Sequence, residues 1–243
     1  MGYGHAQEVS MDANIAVPAA LIGDPTRAAL LNTLLDGRPR PSGELARAAC
    51  VTPQAASNHL ARLAEAGLVT AEARGRHRLY RLAGPDVAAA LEALARIAPP
   101  VKALHPPLTR QARSLRDARS CYDHLAGRVG VAVAEALQAR GLIALPDAGA
   151  EQFEVTPQGR AWFEAFGVDL TPVARPLARS CIDWTERRPH LAGALGARLL
   201  TRLLALGWVA RVEGTRGLRL TAAGDKGLRE ALGVDLNAEK AAA

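Results

Sequence analysis

The second half of this chain contains the same pattern twice. Ala118-Arg119-Ser120-Cys121 returns as Ala178-Arg179-Ser180-Cys181, and Asp123 returns as Asp183. His124-Leu125-Ala126-Gly127 returns as His190-Leu191-Ala192-Gly193, and Gly167-Val168-Asp169-Leu170 as Gly233-Val234-Asp235-Leu236. Repetition on this scale restricts the chain to two copies of one supersecondary unit that bury a shared core. Between the anchors each copy predicts a helix ending at Gly141 or Gly207, then a short hairpin through residues 153–155 or 219–220. A final helix begins near Thr156 or Thr221. The run Cys121-Tyr122-Asp123-His124 reads as helical, with Cys121 and His124 at i and i+3 on one face. Each copy is thus expected to be helix, helix, hairpin, helix, the plan of a small winged-helix unit. The second copy carries an insertion, residues 184–189, between its cysteine and its histidine.

The first half has its own punctuation. Residues 15–35 carry apolar groups at helical spacing, interrupted by Asp24-Pro25, which reads as an N-cap and first-turn proline. After the break Gly37-Arg38-Pro39-Arg40-Pro41, Ser42 is expected to cap a short helix over 43–49. Thr52 caps a longer one to Ala66, stopped by Gly67. Residues 68–73 and 78–82 alternate in character around a basic turn and predict a hairpin. A helix over 87–97 follows, with Leu91, Leu94 and Ile97 on its apolar stripe. A length of 243 residues suits two or three compact units, and 49% hydrophobic residues suffice for their cores. The expected fold class is mainly α with short β-hairpins (α+β). It comprises an N-terminal winged helix-turn-helix domain and a C-terminal domain of two winged-helix-like repeats. The expected boundaries are a flexible N-terminus 1–14, a DNA-binding and dimerisation domain 15–98, and a proline-rich linker 99–109. A duplicated candidate sensor domain 110–236 follows (repeats about 110–172 and 173–236), then a tail 237–243.

The sharpest functional signal lies between Ser42 and Leu82. A helix, a tight turn, a second helix and a basic hairpin make a helix-turn-helix with a wing. In the second helix Ala56, Leu60 and Leu63 are expected to face inward. Gln54, Ser57, Asn58 and His59 are then free to reach base edges, where Asn and Gln pair well with adenine. Arg62 suits a phosphate contact. The hairpin tip gathers Arg74, Arg76, His77 and Arg78 with no acid among them, and Gly75 permits the turn; these cations suit phosphates or the minor groove. The net charge of +6, carried almost wholly by arginine since Lys102, Lys226 and Lys240 are the only lysines, is a weak pointer in the same direction.

Several of these residues together resemble a known family. Asp24-Pro25-Thr26-Arg27 with Leu30, then residues 57–69 (SNHLARLAEAGLV), then Gly75-Arg76 and Tyr80-Arg81-Leu82, are similar to the ArsR/SmtB (arsenic-repressor) family of bacterial regulators. The resemblance covers about residues 15–98. It implies a homodimer that binds a double-stranded DNA operator of two-fold symmetry and represses until an effector arrives. It also implies dimer contacts from the first and last helices, here 15–21 and 87–97. The family's paired cysteines would fall within residues 40–46, where this chain has none. The 87–97 helix offers Asp86 and Glu92 but no histidine pair, so neither family metal site carries over.

Sensing therefore falls to the duplicated region. Cys121, Asp123 and His124 of one copy and Cys181, Asp183 and His190 of the other are candidate ligands, with Glu186 nearby. If the copies pack about a pseudo-two-fold axis, equivalent residues meet there. Two thiolates with imidazoles suit zinc or another divalent or soft ion. The same thiols without a metal suit a reversible disulfide. Buried structural cysteines are the ordinary alternative. A pocket for a small organic effector among Trp162, Phe163, Phe166, Trp184 and Trp208 is a further one, although Trp162 and Phe166 at helical spacing read as core. Arg110, Arg113, Arg116 and Arg119 form a stripe expected to be a solvated helix face, and Cys50 is expected to be a small buried residue.

Other classes are excluded or demoted. Three cysteines cannot staple a small secreted domain. The N-terminus lacks a signal-peptide pattern, and no stretch approaches a bilayer span, so a cytoplasmic protein without membrane contact is expected. A non-sensing architectural DNA-binding protein is the alternative. The repeats argue against it, because they lack a polar reading face and an arginine-rich tip. A cysteine-dependent enzyme is further off, since neither cysteine follows a strand-to-helix turn or an oxyanion-hole loop.

Overall fold

The computed structural model describes residues 13–74, 77–99, 110–146 and 150–236, which divide into two compact units. The first takes in the described residues up to Leu35 together with Pro39–Gly84; the second takes in Asp36–Arg38 and the chain from Pro85. Among the described residues, no helix is long and apolar enough to cross a membrane.

The first unit runs α1 (Ala16–Ile22), α2 (Pro25–Leu34), β1 (Arg40–Pro41), α3 (Ser42–Ala48), α4 (Pro53–Glu65), β2 (Val69–Arg74) and β3 (His77–Leu82). Asp24 accepts the Arg27 amide at 2.9 Å, so α2 starts where its proline requires. Thr52 does the same for α4 through the Ala55 amide at 3.2 Å. Ser42 does not cap α3: it is the helix's first residue and Pro41 holds the cap position. Leu30, Leu31, Leu34, Leu45, Ala56, Leu60 and Leu63 are fully buried and form the centre of this unit. Gly67, at φ 70°, turns the chain out of α4 into β2. The sheet has the order β1-β3-β2, with Arg40 opposite Tyr80 and Val69 opposite Leu82. The edge strand β1 lies in the segment that reads as a break, and its Pro41 is tolerated there because an edge leaves amides unpaired.

The second unit begins with α5 (Pro85–Ile97) and α6 (Arg110–Asp117). By its contacts α5 groups with this unit, whereas the expected DNA-binding and dimerisation domain runs over 15–98. The first copy is β4 (Arg119–Cys121), β5 (His124–Ala126), α7 (Arg128–Ala139), β6 (Ile143–Ala144), β7 (Glu154–Val155) and α8 (Pro157–Ala165). The second is β8 (Arg179–Ile182), β9 (Pro189–Ala192), α9 (Gly193–Ala205), β10 (Val209–Arg211), β11 (Leu218–Leu220) and α10 (Ala222–Leu232). Each copy keeps the expected helix, wing hairpin and closing helix. Each opens, however, with a β-hairpin where the sequence suggested a helix.

The copies exchange contacts reciprocally. Helix α7 packs on β9 and α9 on β5, so each copy's first helix lies against the other's opening hairpin. The backbone repeats the exchange: the Leu218 amide donates to Ala118 O and the Phe153 amide to Ala178 O. Likewise, the Ser120 amide donates to Arg216 O and the Ser180 amide to Glu151 O, both at 2.8 Å. Such matched pairs imply approximate two-fold symmetry, with β5 and β9 adjacent at its centre. One apolar cluster fills both copies, from Leu125, Leu137 and Phe163 to Leu195, Leu203 and Leu228. The aromatic groups belong to it. Trp162 stacks on Phe166 at 4.8 Å, Phe166 meets Trp208 at 5.4 Å, and Phe163 is fully buried. Trp184 lies instead against Arg119, so these rings do not gather into one aromatic pocket.

Candidate functional site

Two surfaces carry chemistry. On α4, Gln54, Asn58 and Arg62 are exposed along one i, i+4, i+8 line, opposite the buried Ala56, Leu60 and Leu63. The Gln54 amide donates to Asn58 Oδ1 at 3.2 Å, which orients the two amides together. Ser57 is half-buried beside them. His59 turns away, with its Nδ1 3.9 Å from the Asp24 carboxylate at the start of α2, so it supports packing as well as bordering the face. In the wing Arg74 and Arg78 are exposed, and the Arg78 guanidinium lies over the Tyr80 ring. Gly75, Arg76 and the His77 side chain lie outside the described residues. Cys50, before α4, is exposed and left-handed (φ 54°), not buried.

The second surface is built from the opening hairpins of the two repeats. Cys121 and His124 are not on a helix: they are register partners across the two-residue turn of β4–β5, with Tyr122 left-handed at φ 58°. Cys181 and His190 are the same pair across β8–β9. Directly opposed residues project from one face of a hairpin, so each hairpin offers one sulfur and one imidazole. The hairpins meet there, and one donor atom from each of Cys121, His124, Cys181 and His190 lies within 4.8 Å of the others. His124 Nε2 and His190 Nε2 are 3.2 Å apart, their rings stacked at 5.1 Å. Gly196 permits this approach, since a Cβ there would come within 3.2 Å of the His124 Cβ.

Asp123 and Asp183 stand behind the cluster. Asp123 Oδ1 is 3.3 Å from His124 Nδ1, and its other oxygen accepts from Arg175 at 2.6 Å. Asp183 is fully buried and accepts from Arg119, the Gly127 amide, the Thr185 amide and hydroxyl, and the Glu186 amide. Burial alone would raise its pKa, but the Arg119 guanidinium and these donors hold it well below the usual carboxylate range. His190 Nδ1 is buried, 3.9 Å from Asp183 and without a hydrogen bond. Arg119 is itself buried on β4, so the expected arginine stripe loses its last member; Arg113 and Arg116 are exposed on α6, and the Arg110 side chain lies outside the described residues.

The sulfurs form a coupled pair. Cys121, hydrogen-bonded to Cys181 and largely buried, is pushed up to about 12. Cys181 is held below the usual thiol range by that same hydrogen bond, helped by Arg96 and Arg179 against the opposing effect of burial. Glu92 of α5 places Oε2 3.5 Å from Cys121 Sγ, while its Oε1 pairs with Arg216 at 2.9 Å. These neighbours line a cavity of about 640 Å³ that opens onto both cysteines. Glu92 is not among the candidate site residues that the sequence offers in the duplicated region. Its partnership with Cys121 spans 29 residues and has no local sequence signal.

Known proteins resemble this chain in matching ways. Residues 22–72 match a family model described as a helix-turn-helix domain. The chain is 42% identical over 229 residues to the uncharacterized HTH-type transcriptional regulator YdfF of Bacillus subtilis (strain 168), covering 93% of this chain and 100% of that one. It is 39% identical over 93 residues to the HTH-type transcriptional regulator CmtR of Mycobacterium tuberculosis (strain H37Rv), covering 38% and 78% respectively. Among solved structures, the NMR structure of the cadmium metal-sensor CMTR from Mycobacterium tuberculosis aligns at 36% identity and a TM-score of 0.31, covering 40% of this chain and 99% of that one.

Proposed function

Because the chain belongs to the ArsR/SmtB family of winged-helix transcriptional regulators, we propose that it is a homodimeric repressor that lays α4 in the major groove of a two-fold operator. The duplicated unit then binds the effector that releases it. The observation carrying this reading is the division of α4 between three fully buried apolar residues and the exposed line Gln54, Asn58, Arg62. Gln54 and Asn58 supply amides for base edges, with Ser57 beside them. Arg62, Arg74 and Arg78, together with Arg76 and His77 at the wing tip, hold phosphates. The effector is assigned to Cys121, His124, Cys181 and His190, a donor set that fits a soft or borderline metal ion. Asp123 supports the His124 imidazole, and Asp183 is taken up by Arg119 and its backbone donors, so neither acts as a ligand.

The test is fluorescence anisotropy with the promoter of the chain's own operon and a scrambled duplex, across a salt series. Asn58→Ala is expected to lose about 10- to 100-fold of the discrimination between the two duplexes, the worth of one bidentate base contact. Arg74→Ala is expected to weaken both duplexes alike and to reduce the salt slope by about one. Equal losses on both duplexes for Asn58→Ala would remove α4 from base reading.

A further inference from the structure

Two histidines from different repeats aim their Nε2 atoms at one point. His124 Nδ1 lies 3.3 Å from Asp123 Oδ1, which favours a proton on that nitrogen and leaves Nε2 as the donor atom. His190 Nδ1, by contrast, stands 3.9 Å from Asp183 and makes no hydrogen bond. The two Nε2 atoms point at one another across 3.2 Å, close enough to share one proton or, with that proton displaced, to ligate one cation. Cys121 and Cys181 close the other side of the same space.

From this geometry we infer that the hairpins β4–β5 and β8–β9 together form a four-ligand Cys2His2 centre for a thiophilic divalent cation of the zinc and cadmium class. Each repeat supplies one sulfur and one nitrogen. The inference deepens the effector reading above and depends on it only for the step from ion to DNA.

The donor set selects the ion. A tetrahedral zinc-class ion has sulfur at about 2.3 Å and nitrogen at about 2.0–2.1 Å, which sets neighbouring donors about 3.3–3.8 Å apart. The two nitrogens already stand at 3.2 Å, and the widest separation in the group is 4.8 Å. A closure of about 1 Å therefore completes the site. Oxygen-seeking cations are disfavoured because the nearby carboxylates are engaged. Asp183 is filled by Arg119, Gly127, Thr185 and Glu186, and Asp123 is held by Arg175 and His124. Two thiolates and a divalent ion sum to zero charge, which suits a place where His190 is fully buried. The ligands also come from hairpins of different repeats, so the ion ties the halves of the unit together. Closure draws Cys121 relative to its neighbour Glu92 on α5.

The test uses the full-length chain, reduced and stripped of metal, titrated with cobalt(II) as a spectroscopic probe. One equivalent per chain is expected to give the intense visible bands of tetrahedral cobalt and a sulfur-to-cobalt charge-transfer band, both abolished by added zinc. Cys121→Ser and Cys181→Ser are each expected to weaken charge transfer and to bind at least about tenfold less tightly. Cys50→Ser is expected to leave both bands unchanged. Asp123→Asn, which keeps all four ligands, is expected to lose about 10- to 100-fold in affinity with the same bands. Circular dichroism checks that each variant is folded. The inference is overturned by a pale octahedral spectrum, by bands indifferent to Cys181→Ser, or by reduced protein that takes up no cobalt yet forms a Cys121–Cys181 disulfide on mild oxidation. Tetrahedral binding with no effect of zinc on operator affinity would uphold the centre and remove only its role as the effector site.

Discussion

Asp123 and Asp183 occupy the same place in the two repeats, yet they do different work. Asp183 is 0% exposed and holds Arg119, itself 1% exposed, at 2.8 Å. Removing one partner of a buried pair strands the other charge, at a cost of about 3–5 kcal/mol. Asp183→Asn is accordingly expected to lower unfolding stability by that amount in urea denaturation. The Asp123–Arg175 pair is 33% and 43% exposed, and water screens it. Asp123→Asn should cost less than about 1 kcal/mol. A similar loss in both variants would mean that burial does not set the difference. The contrast arises from the insertion at residues 184–189. It turns the chain so that Thr185 and Glu186 donate back to Asp183, and it brings Trp184 over the Arg119 guanidinium.

At the scale of elements, the repeats are held by matched close approaches. Thr156 and Thr221 each accept the amide three residues on, from Gly159 and Gly224, both at 2.9 Å. Each hydroxyl also donates to the carbonyl that ends the preceding helix, Gly141 or Gly207, at 2.7 Å. A Cβ on Gly159 would stand 1.9 Å from Leu142 O, and one on Gly224 2.0 Å from Trp208 O. Backbone cannot yield as a flexible side chain can. Gly159→Ala and Gly224→Ala are therefore each expected to destabilise by about 1–3 kcal/mol, measured by thermal unfolding; a neutral outcome at both would show that the closing helices are free to shift. The threonine starts of these helices were legible in the sequence because a cap is a local feature, and α4 was legible because its apolar period is unmistakable. The hairpin β4–β5 was not. A cysteine and a histidine three apart fit one turn of helix as well as the two sides of a two-residue β-turn, and only the partner repeat decides between them. The four residues of the centre could be named from the duplication. Their convergence depends on contacts spanning more than sixty residues, such as His124 to His190.

For the whole molecule, the apolar residues left in water bear on assembly. Leu91 is buried on α5, but Leu94 and Ile97, on the stripe the sequence predicts to be apolar, are 44% and 81% exposed. In the first unit Ile15 and Val17, at the start of α1, are exposed as well. Burying a side chain of this size is worth about 1.5–3 kcal/mol, so Leu94 and Ile97 of α5 can by themselves stabilise an association between two copies. A two-fold operator is read by two recognition helices at once, and losing the second half removes an intramolecular gain of about 10²–10⁴ in apparent affinity. The double variant Leu94→Glu, Ile97→Glu is thus expected to be a folded monomer by light scattering and to bind the operator about 100-fold more weakly, with its affinity for a single half-site unchanged. Because all four donors come from hairpins of one chain, the cobalt bands should persist in that monomer. A variant that remains dimeric would place the assembly surface elsewhere, and one that loses the bands along with the dimer would tie the centre to the association of two chains.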